Sequence, residues 1–310
     1  MKIAFVFPGQ GSQSVGMLDA WAGQRVVAET VEQASAALGQ DLGALISQGP
    51  AEQLNLTTNT QPVMLTAAVA VYRAWLAAGG VAPAMVAGHS LGEYSALTAA
   101  GSLSLDDAVR IVRVRADAMQ AAVPVGTGSM AAILGLDDDA VKAICAEAAQ
   151  GEVVEAVNFN APAQVVIAGH KAGIERACEL AKTAGAKRAL VLQVSAPFHS
   201  SLLKPAAEVL QRALAPIDLQ SPEVPLINNV DVQSPVDPAS IKDALVRQAW
   251  HAVRWVETIQ AMKAQGVTHI VECGPGKVLN GLTKRIDRDL VGLAITDPAS
   301  LDAALTTLQG

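Results

Sequence analysis

The sequence predicts an α/β protein: a large core in which buried strands alternate with helices, interrupted by a smaller β-α-β-β-α-β unit. Three observations predict it. Short apolar runs at Lys2–Phe7, Ala84–Ala87 and His269–Glu272 each stop near a Gly- or Pro-bearing turn, as buried strands do. Between Ser129 and Val194 two helical segments are set among four strand-like ones. Finally, 51% of the 310 residues are hydrophobic but only 3% are aromatic, so alanine supplies much of the apolar count. That composition suits helices packed closely on sheets.

Lys2–Phe7 reads as a strand ending at Pro8-Gly9, followed by a Gly/Ser/Gln-rich loop over Gln10–Met17. Helical spacing runs from Trp21 to Leu38 and stops at Gly39. A second helix spans Gln61–Ala78, with Pro62 at its start and Gly79-Gly80 after it. The strand Ala84–Ala87 leads into a helix at Leu91–Ala100 that Gly101 closes. Ser104 suits the cap of a helix at Leu105–Ala122, and Asp106 and Asp107 complement the dipole of its first turn. After Pro124-Val-Gly-Thr-Gly128 the texture changes. Strand Ser129–Leu134, helix Asp137–Ala149, strands Val153–Asn158 and Gln164–Ala168, helix Lys171–Ala184 and strand Arg188–Val194 follow in ferredoxin-like order. The expected division is therefore a subdomain at 127–194 inserted in a domain made of 1–126 and 195–310. From Pro197 the larger pattern resumes, with helices at Leu202–Leu214, Pro238–Gln248 and Val256–Gln265. The strand His269–Glu272, the turn Gly274-Pro-Gly276 and a helix to Arg285 complete it.

The formal net charge is −7, which argues against wholesale nucleic-acid binding. Cys145, Cys178 and Cys273 are odd in number and match no metal spacing, so reduced, buried thiols are expected. The apolar stretch at the N-terminus is shorter than the roughly 7–15 residues of a signal core. Apolar Ala74–Gly88 falls short of the ~18 residues that span a bilayer. A cytoplasmic protein with no membrane contact is the expectation.

Gly88-His-Ser-Leu-Gly92 fits G-x-S-x-G where a strand meets a helix. A tight turn of this kind holds the serine in a strained conformation and exposes its hydroxyl, and glycine two residues to either side lets strand and helix approach. The free N–H groups of the helix start favour developing negative charge, and the N–H of Leu91 is placed to donate to an oxyanion. The alternative is a Gly-rich turn in which Ser90 merely caps the helix. A serine hydroxyl needs a base. Of His89, His170, His199, His251 and His269, we favour His199, which lies in Ser195-Ala-Pro-Phe-His-Ser200, a loop stiffened by Pro197. In the helix Leu105–Ala122, Arg115 projects into the edge of the apolar stripe, while Arg110 points nearly opposite. A buried arginine needs an anionic partner. The alternatives are an internal Asp or Glu partner, a side chain that snorkels to solvent, or an acid-bearing substrate held near the serine.

Phe7-Pro-Gly-Gln-Gly-Ser-Gln13, Gly88-His-Ser-Leu-Gly-Glu93, Arg115, Asn158-Phe-Asn160, Pro197-Phe-His199 and Glu272-Cys-Gly-Pro-Gly276 occur in that order. Together they resemble the malonyl-CoA:acyl carrier protein transacylases and the related acyltransferase domains of polyketide synthases, over nearly the whole chain. The resemblance implies an α/β-hydrolase-like core with an inserted ferredoxin-like subdomain. It implies Ser90 as nucleophile, His199 as its base and Arg115 as the anchor of the malonyl carboxylate. It further implies an oxyanion hole from the backbone N–H groups of Gln10 and Leu91, a carbonyl near Gln248 that orients His199, and Gln61 and Asn160 close by. Malonyl-CoA and acyl carrier protein are the implied partners, no cofactor or metal is implied, and a monomer is expected. Lys182, Lys187 and Arg188, or Lys284 and Arg285, are candidates for carrier docking. One departure stands out: members often carry Asn-Pro before Val-x-Trp, where this chain has Trp250-His-Ala-Val253. The Gln248 carbonyl is the role it puts in doubt. A serine esterase shares the elbow but has no need of Arg115, and a non-catalytic carrier-docking module would need none of the three.

Overall fold

The computed structural model describes residues 1–309. Strand β1 (Ile3–Phe7) is wholly buried and is followed by a 3-10 turn at Asp19–Trp21. Helices α1 (Arg25–Leu38), α2 (Leu42–Gln48), α3 (Ala51–Leu54) and α4 (Thr57–Ala77) lead to β2 (Met85–Gly88), α5 (Gly92–Ala99) and α6 (Leu105–Ala121). Next come β3 (Gly128–Leu134), α7 (Asp138–Ala149), β4 (Val154–Ala161), β5 (Gln164–His170), α8 (Lys171–Thr183) and β6 (Arg188–Val191). The chain closes with α9 (Lys204–Leu214), β7 (Leu226–Ile227), α10 (Pro238–Gln248), α11 (Trp255–Ala264), β8 (His269–Cys273), α12 (Val278–Ile286), β9 (Val291–Ile295) and α13 (Pro298–Gln309).

The strands form two sheets. The first is parallel throughout, in the order β7-β2-β1-β8-β9. Its strands are apolar because helices cover both faces. The second is antiparallel, in the order β4-β5-β3-β6. One face of the second sheet packs on α7 and α8 through Ile133, Ile144, Ile167 and Ile174. The other carries Met130, Val157 and Val166, with Phe198 packed against them. No helix among the described residues is long and apolar enough to cross a membrane.

Several elements differ from the sequence expectation. The helix read from Trp21 begins at Arg25, because Trp21 closes a 3-10 turn and donates its indole N–H to Thr296 O. The helix read from Gln61 begins at Thr57, so Pro62 lies inside it rather than at its start. Thr60 Oγ1 helps fix that earlier start by donating to Leu54 O at 2.6 Å. Helices α2 and α3, the two-residue β7, and β9 with α13 were not anticipated. Ser104 does cap α6, its Oγ accepting the N–H of Asp107 at 3.1 Å. The three cysteines are free and buried.

Candidate active site

The C-terminal edge of the parallel sheet, where open α/β sheets bind ligands, carries three turns side by side. Gln10 follows β1, Ser90 follows β2 and Asn229 follows β7. Ser90 has φ 52°, the left-handed region that a side-chain-bearing residue adopts only when its surroundings hold it there. The two glycines are what permit it. A Cβ on Gly88 would lie 1.8 Å from the carbonyl carbon of Gly92, and one on Gly92 would lie 2.1 Å from Phe7 O. Asn229 clamps the turn: its Oδ1 accepts the Ser90 N–H at 2.7 Å and its Nδ2 donates to Gly88 O at 2.7 Å.

Ser90 Oγ lies 2.7 Å from His199 Nε2. On the far side of the ring, Nδ1 lies 2.9 Å from the backbone carbonyl of Gln248. A carbonyl can only accept, so Nδ1 carries the proton and Nε2 is free to accept from the serine. His199 itself has φ 64°. Burial, then the charge of Arg115, push its pKa down to about 3, against the opposing bond to Gln248 O. The ring is therefore a neutral acceptor at neutral pH. The missing Asn-Pro does not displace the Gln248 carbonyl. The segment after α10 is instead tied to β4, with Val253 N–H donating to Val157 O and Phe159 N–H to Val253 O.

Arg115 is buried beside the serine. Its Nη2 donates to Ser90 Oγ at 3.1 Å and to Gln248 Oε1 at 2.9 Å, and its Nη1 donates to Gln61 Oε1 at 2.8 Å. The Tyr94 ring lies 5.5 Å from the guanidinium carbon. Its Nε has no partner, and no carboxylate oxygen comes within ion-pair distance among the described residues. The internal Asp or Glu that would have explained a buried arginine is not in contact with it. Arg110 and Arg113, on other faces of α6, donate outward to Ala37 O and to Gln40.

The backbone N–H groups of Gln10 and Leu91 donate to no protein acceptor among the described residues. Asn160 bonds His89, its Oδ1 lying 2.8 Å from His89 Nε2, which turns that neighbouring imidazole away from the serine. A cavity of about 550 Å³ opens over these groups. Gln10, Ser90, Leu91, Arg115 and His199 form its floor, and Met130, Asn158, Asn160 and Val166 of the antiparallel sheet form its opposing wall. The cleft thus lies between the two sheets. Two site residues went unread in the sequence: Asn229, and Glu93, whose buried carboxylate accepts the Asn229 N–H at 2.9 Å.

Residues 4–289 match the acyl transferase domain family. The chain belongs to that family. This acyl transferase is 58% identical over 305 residues to the malonyl CoA-acyl carrier protein transacylase of Escherichia coli K12, covering 98% of this chain and 99% of that one. It superposes on the acyl-carrier-protein S-malonyltransferase of Burkholderia pseudomallei with a TM-score of 0.98 and 68% identity, over 99% and 100% of the two chains. A malonyl-transacylase solved in complex with its type II PKS acyl-carrier protein gives 0.98 and 51%, over 99% and 100%. Among the described residues, no group of three or more His, Cys, Asp or Glu side chains could hold a metal ion.

Proposed function

We propose that this acyl transferase moves a malonyl group from malonyl-CoA to the phosphopantetheine thiol of acyl carrier protein through a malonyl ester on Ser90. The observation that carries the proposal is the buried Arg115 guanidinium, which touches the serine hydroxyl while its other partners are neutral amide oxygens. A buried cation without a carboxylate invites one from the substrate, and malonyl brings one on the carbon next to its thioester carbonyl. The names of the near-full-length relatives support the same acyl group and carrier.

The chemistry runs in two matched halves. Ser90 Oγ attacks the thioester carbon as its proton passes to His199 Nε2. The oxyanion is held by the N–H groups of Gln10 and Leu91, each such donor being worth about 3–4 kcal/mol of barrier. On collapse the C–S bond breaks and His199 returns the proton to the CoA sulfur. The pantetheine thiol of the carrier then attacks the ester, gives its proton to His199, and leaves with the malonyl group as Ser90 regains its hydrogen. The Gln248 carbonyl keeps the ring in the tautomer that both halves need. Gln61 holds the second arm of Arg115, and Asn160 keeps His89 out of the way. Every step uses groups of the chain and its two substrates, without a resident cofactor. Residues 127–194, which contain all four antiparallel strands, form the subdomain that roofs the cleft. A cytoplasmic location and a monomeric state go with the proposal.

Intact-mass measurement tests it. The protein mixed with malonyl-CoA should gain one malonyl group, Ser90→Ala should gain none, and holo acyl carrier protein should remove it. CoA release with no adduct would mean a hydrolase instead.

A further inference from the structure

One buried carboxylate joins the nucleophile's turn to the guanidinium, and the chemistry above leaves it unused. Glu93, the second residue of α5, is 1% exposed. Its Oε2 accepts the backbone N–H of Asn229 at 2.9 Å and Nε2 of Gln248 at 3.1 Å. Each partner reaches the reacting groups. Asn229 holds Ser90 N–H and Gly88 O, and Gln248 Nε2 also donates to Ser90 O at 2.8 Å. Because the Nε2 end of Gln248 faces Glu93 and Ser90 O, its Oε1 end is the one left for Arg115 Nη2, at 2.9 Å. A reversed amide would set its hydrogens against the guanidinium, where nothing could accept. A neutral amide is thus interposed between the buried anion and the buried cation. A direct Glu–Arg pair would occupy the guanidinium, whereas this arrangement leaves its charge open to a ligand.

We propose that Glu93 is a positioning residue that sets the malonyl selectivity of the site: through Gln248 it orients the Arg115 guanidinium, and its charge is the counterweight that an incoming substrate carboxylate replaces. The proposal rests on the reading of Arg115 as the carboxylate anchor. The other ionisable groups around Glu93 are few. Helix α6 contributes Arg115, and the loop after β7 contributes Asp231, itself held in a two-point ion pair by Arg247 of α10. Tyr94 follows it on α5, His199 lies across Arg115, and β1 and β2 have no ionisable side chain, while Tyr72 and Arg73 of α4 face other partners, Phe5 and Phe7 for the first and Thr30 and Gln33 for the second. Burial pushes the Glu93 carboxyl up to about 7, outweighing the bonds from Gln248 and Asn229 and the charge of Arg115. A second carboxylate arriving at Arg115 raises it further, so malonyl binding takes up a proton and weakens as pH climbs through about 7.

The test is the KM of Ser90 acylation by malonyl-CoA and by acetyl-CoA between pH 5.5 and 8.5, on wild type and two variants. For wild type, the malonyl KM should rise roughly three- to tenfold across a step near neutral pH, a pKa unit being tenfold. Acetyl-CoA, which has no acyl carboxylate, should show no such step. Glu93→Gln keeps an acceptor for Asn229 and Gln248 but loses the charge. It should hold the malonyl KM flat at its low-pH value and raise the malonyl:acetyl ratio at pH 8. Glu93→Asp keeps the charge but withdraws it from Gln248, and should keep the step while lowering the ratio. A Glu93→Gln profile that retains the wild-type step and ratio overturns the proposal. So does a Glu93→Asp profile with both unchanged, should Glu93→Gln fail to fold. Wild type that forms no malonyl ester would instead overturn the reading beneath it.

Discussion

Replacing Gly92 by alanine isolates the close approach of helix and strand that aims Ser90, the proposed nucleophile. The added Cβ would lie 2.1 Å from Phe7 O, 2.8 Å from Phe7 C and 3.0 Å from Pro8 O. Ordinary contact begins near 3.4 Å, so the first of these is short by about 1.3 Å. Phe7 cannot yield that distance. It ends β1, which is paired on both sides by β2 and β8, and its carbonyl already accepts the N–H of His89. The start of α5 must therefore move, and Ser90 moves with it, away from the 2.7 Å contact with His199 Nε2. Overpacking of this kind costs about 1–3 kcal/mol of stability, and a 1 Å misplacement of a reacting group costs on the order of 100-fold in rate. Most domains are stable by about 5–15 kcal/mol, so the variant should fold. The assay is rapid-quench acylation by malonyl-CoA, read by intact mass, beside a denaturant titration. We expect acylation to slow about 100-fold or more, with stability lower by about 1–3 kcal/mol. Gly281→Ala is the control: it lies in α12 with nothing within 4 Å of the new Cβ and should be neutral or slightly stabilising. A Gly92→Ala protein that loses stability but acylates within twofold of wild type would refute the reasoning.

Three further outcomes follow from other parts of the site. His199 is pushed down to about 3 by burial and by Arg115, and only its neutral ring accepts the serine proton. Acylation should therefore show no loss as pH falls through the ordinary histidine value of 6.5, and Arg115→Ala, which removes a neighbouring charge, should move the acid limb for acetyl-CoA upward. Asn229→Ala removes two hydrogen bonds from the turn around Ser90 and should cost about 1–3 kcal/mol in a denaturant titration, with slower acylation. Glu272, held at the N-terminus of α12, is pushed by burial up to about 7. Its folded value is raised, so the stability it contributes is complete below its unfolded value of 4.5 and is lost as pH rises through about 7, amounting to about 3 kcal/mol. Glu93 carries a shift of the same sign, so Glu272→Gln should remove about half of the fall in unfolding free energy between pH 5 and 8 that these two carboxyls cause.

Much of the site is legible because local backbone demands leave local marks. The left-handed turn at Ser90 writes itself as Gly-x-Ser-x-Gly, since neither glycine tolerates a Cβ. Arg115 stands out because a charge in an apolar helix stripe needs a reason. Ser104 and the paired aspartates mark the start of α6, and the strand and helix order of residues 128–191 is readable from periodicity. What escapes is held by distant partners. Asn229 follows a two-residue strand whose pairing with β2 makes it a strand at all. Glu93 looks like an ordinary first-turn acid, and only the fold brings Asn229 and Gln248 to it. The early start of α4 depends on Thr60 reaching back to Leu54, which outweighs the later start that Pro62 suggests. The Gln248 carbonyl has no side-chain signature, and its place against His199 goes with the tie between Val253 and β4.

The most direct measurement is the malonyl-over-acetyl preference of Arg115→Ala, taken as the ratio of kcat/KM values for acylation of Ser90. Truncating one partner of a buried charge pair costs about 2–5 kcal/mol, so the ratio should fall by roughly 30- to 4,000-fold, with acetyl transfer retained relative to malonyl. A variant that keeps the wild-type preference would contradict the assignment of Arg115 as the group that reads the substrate's carboxylate.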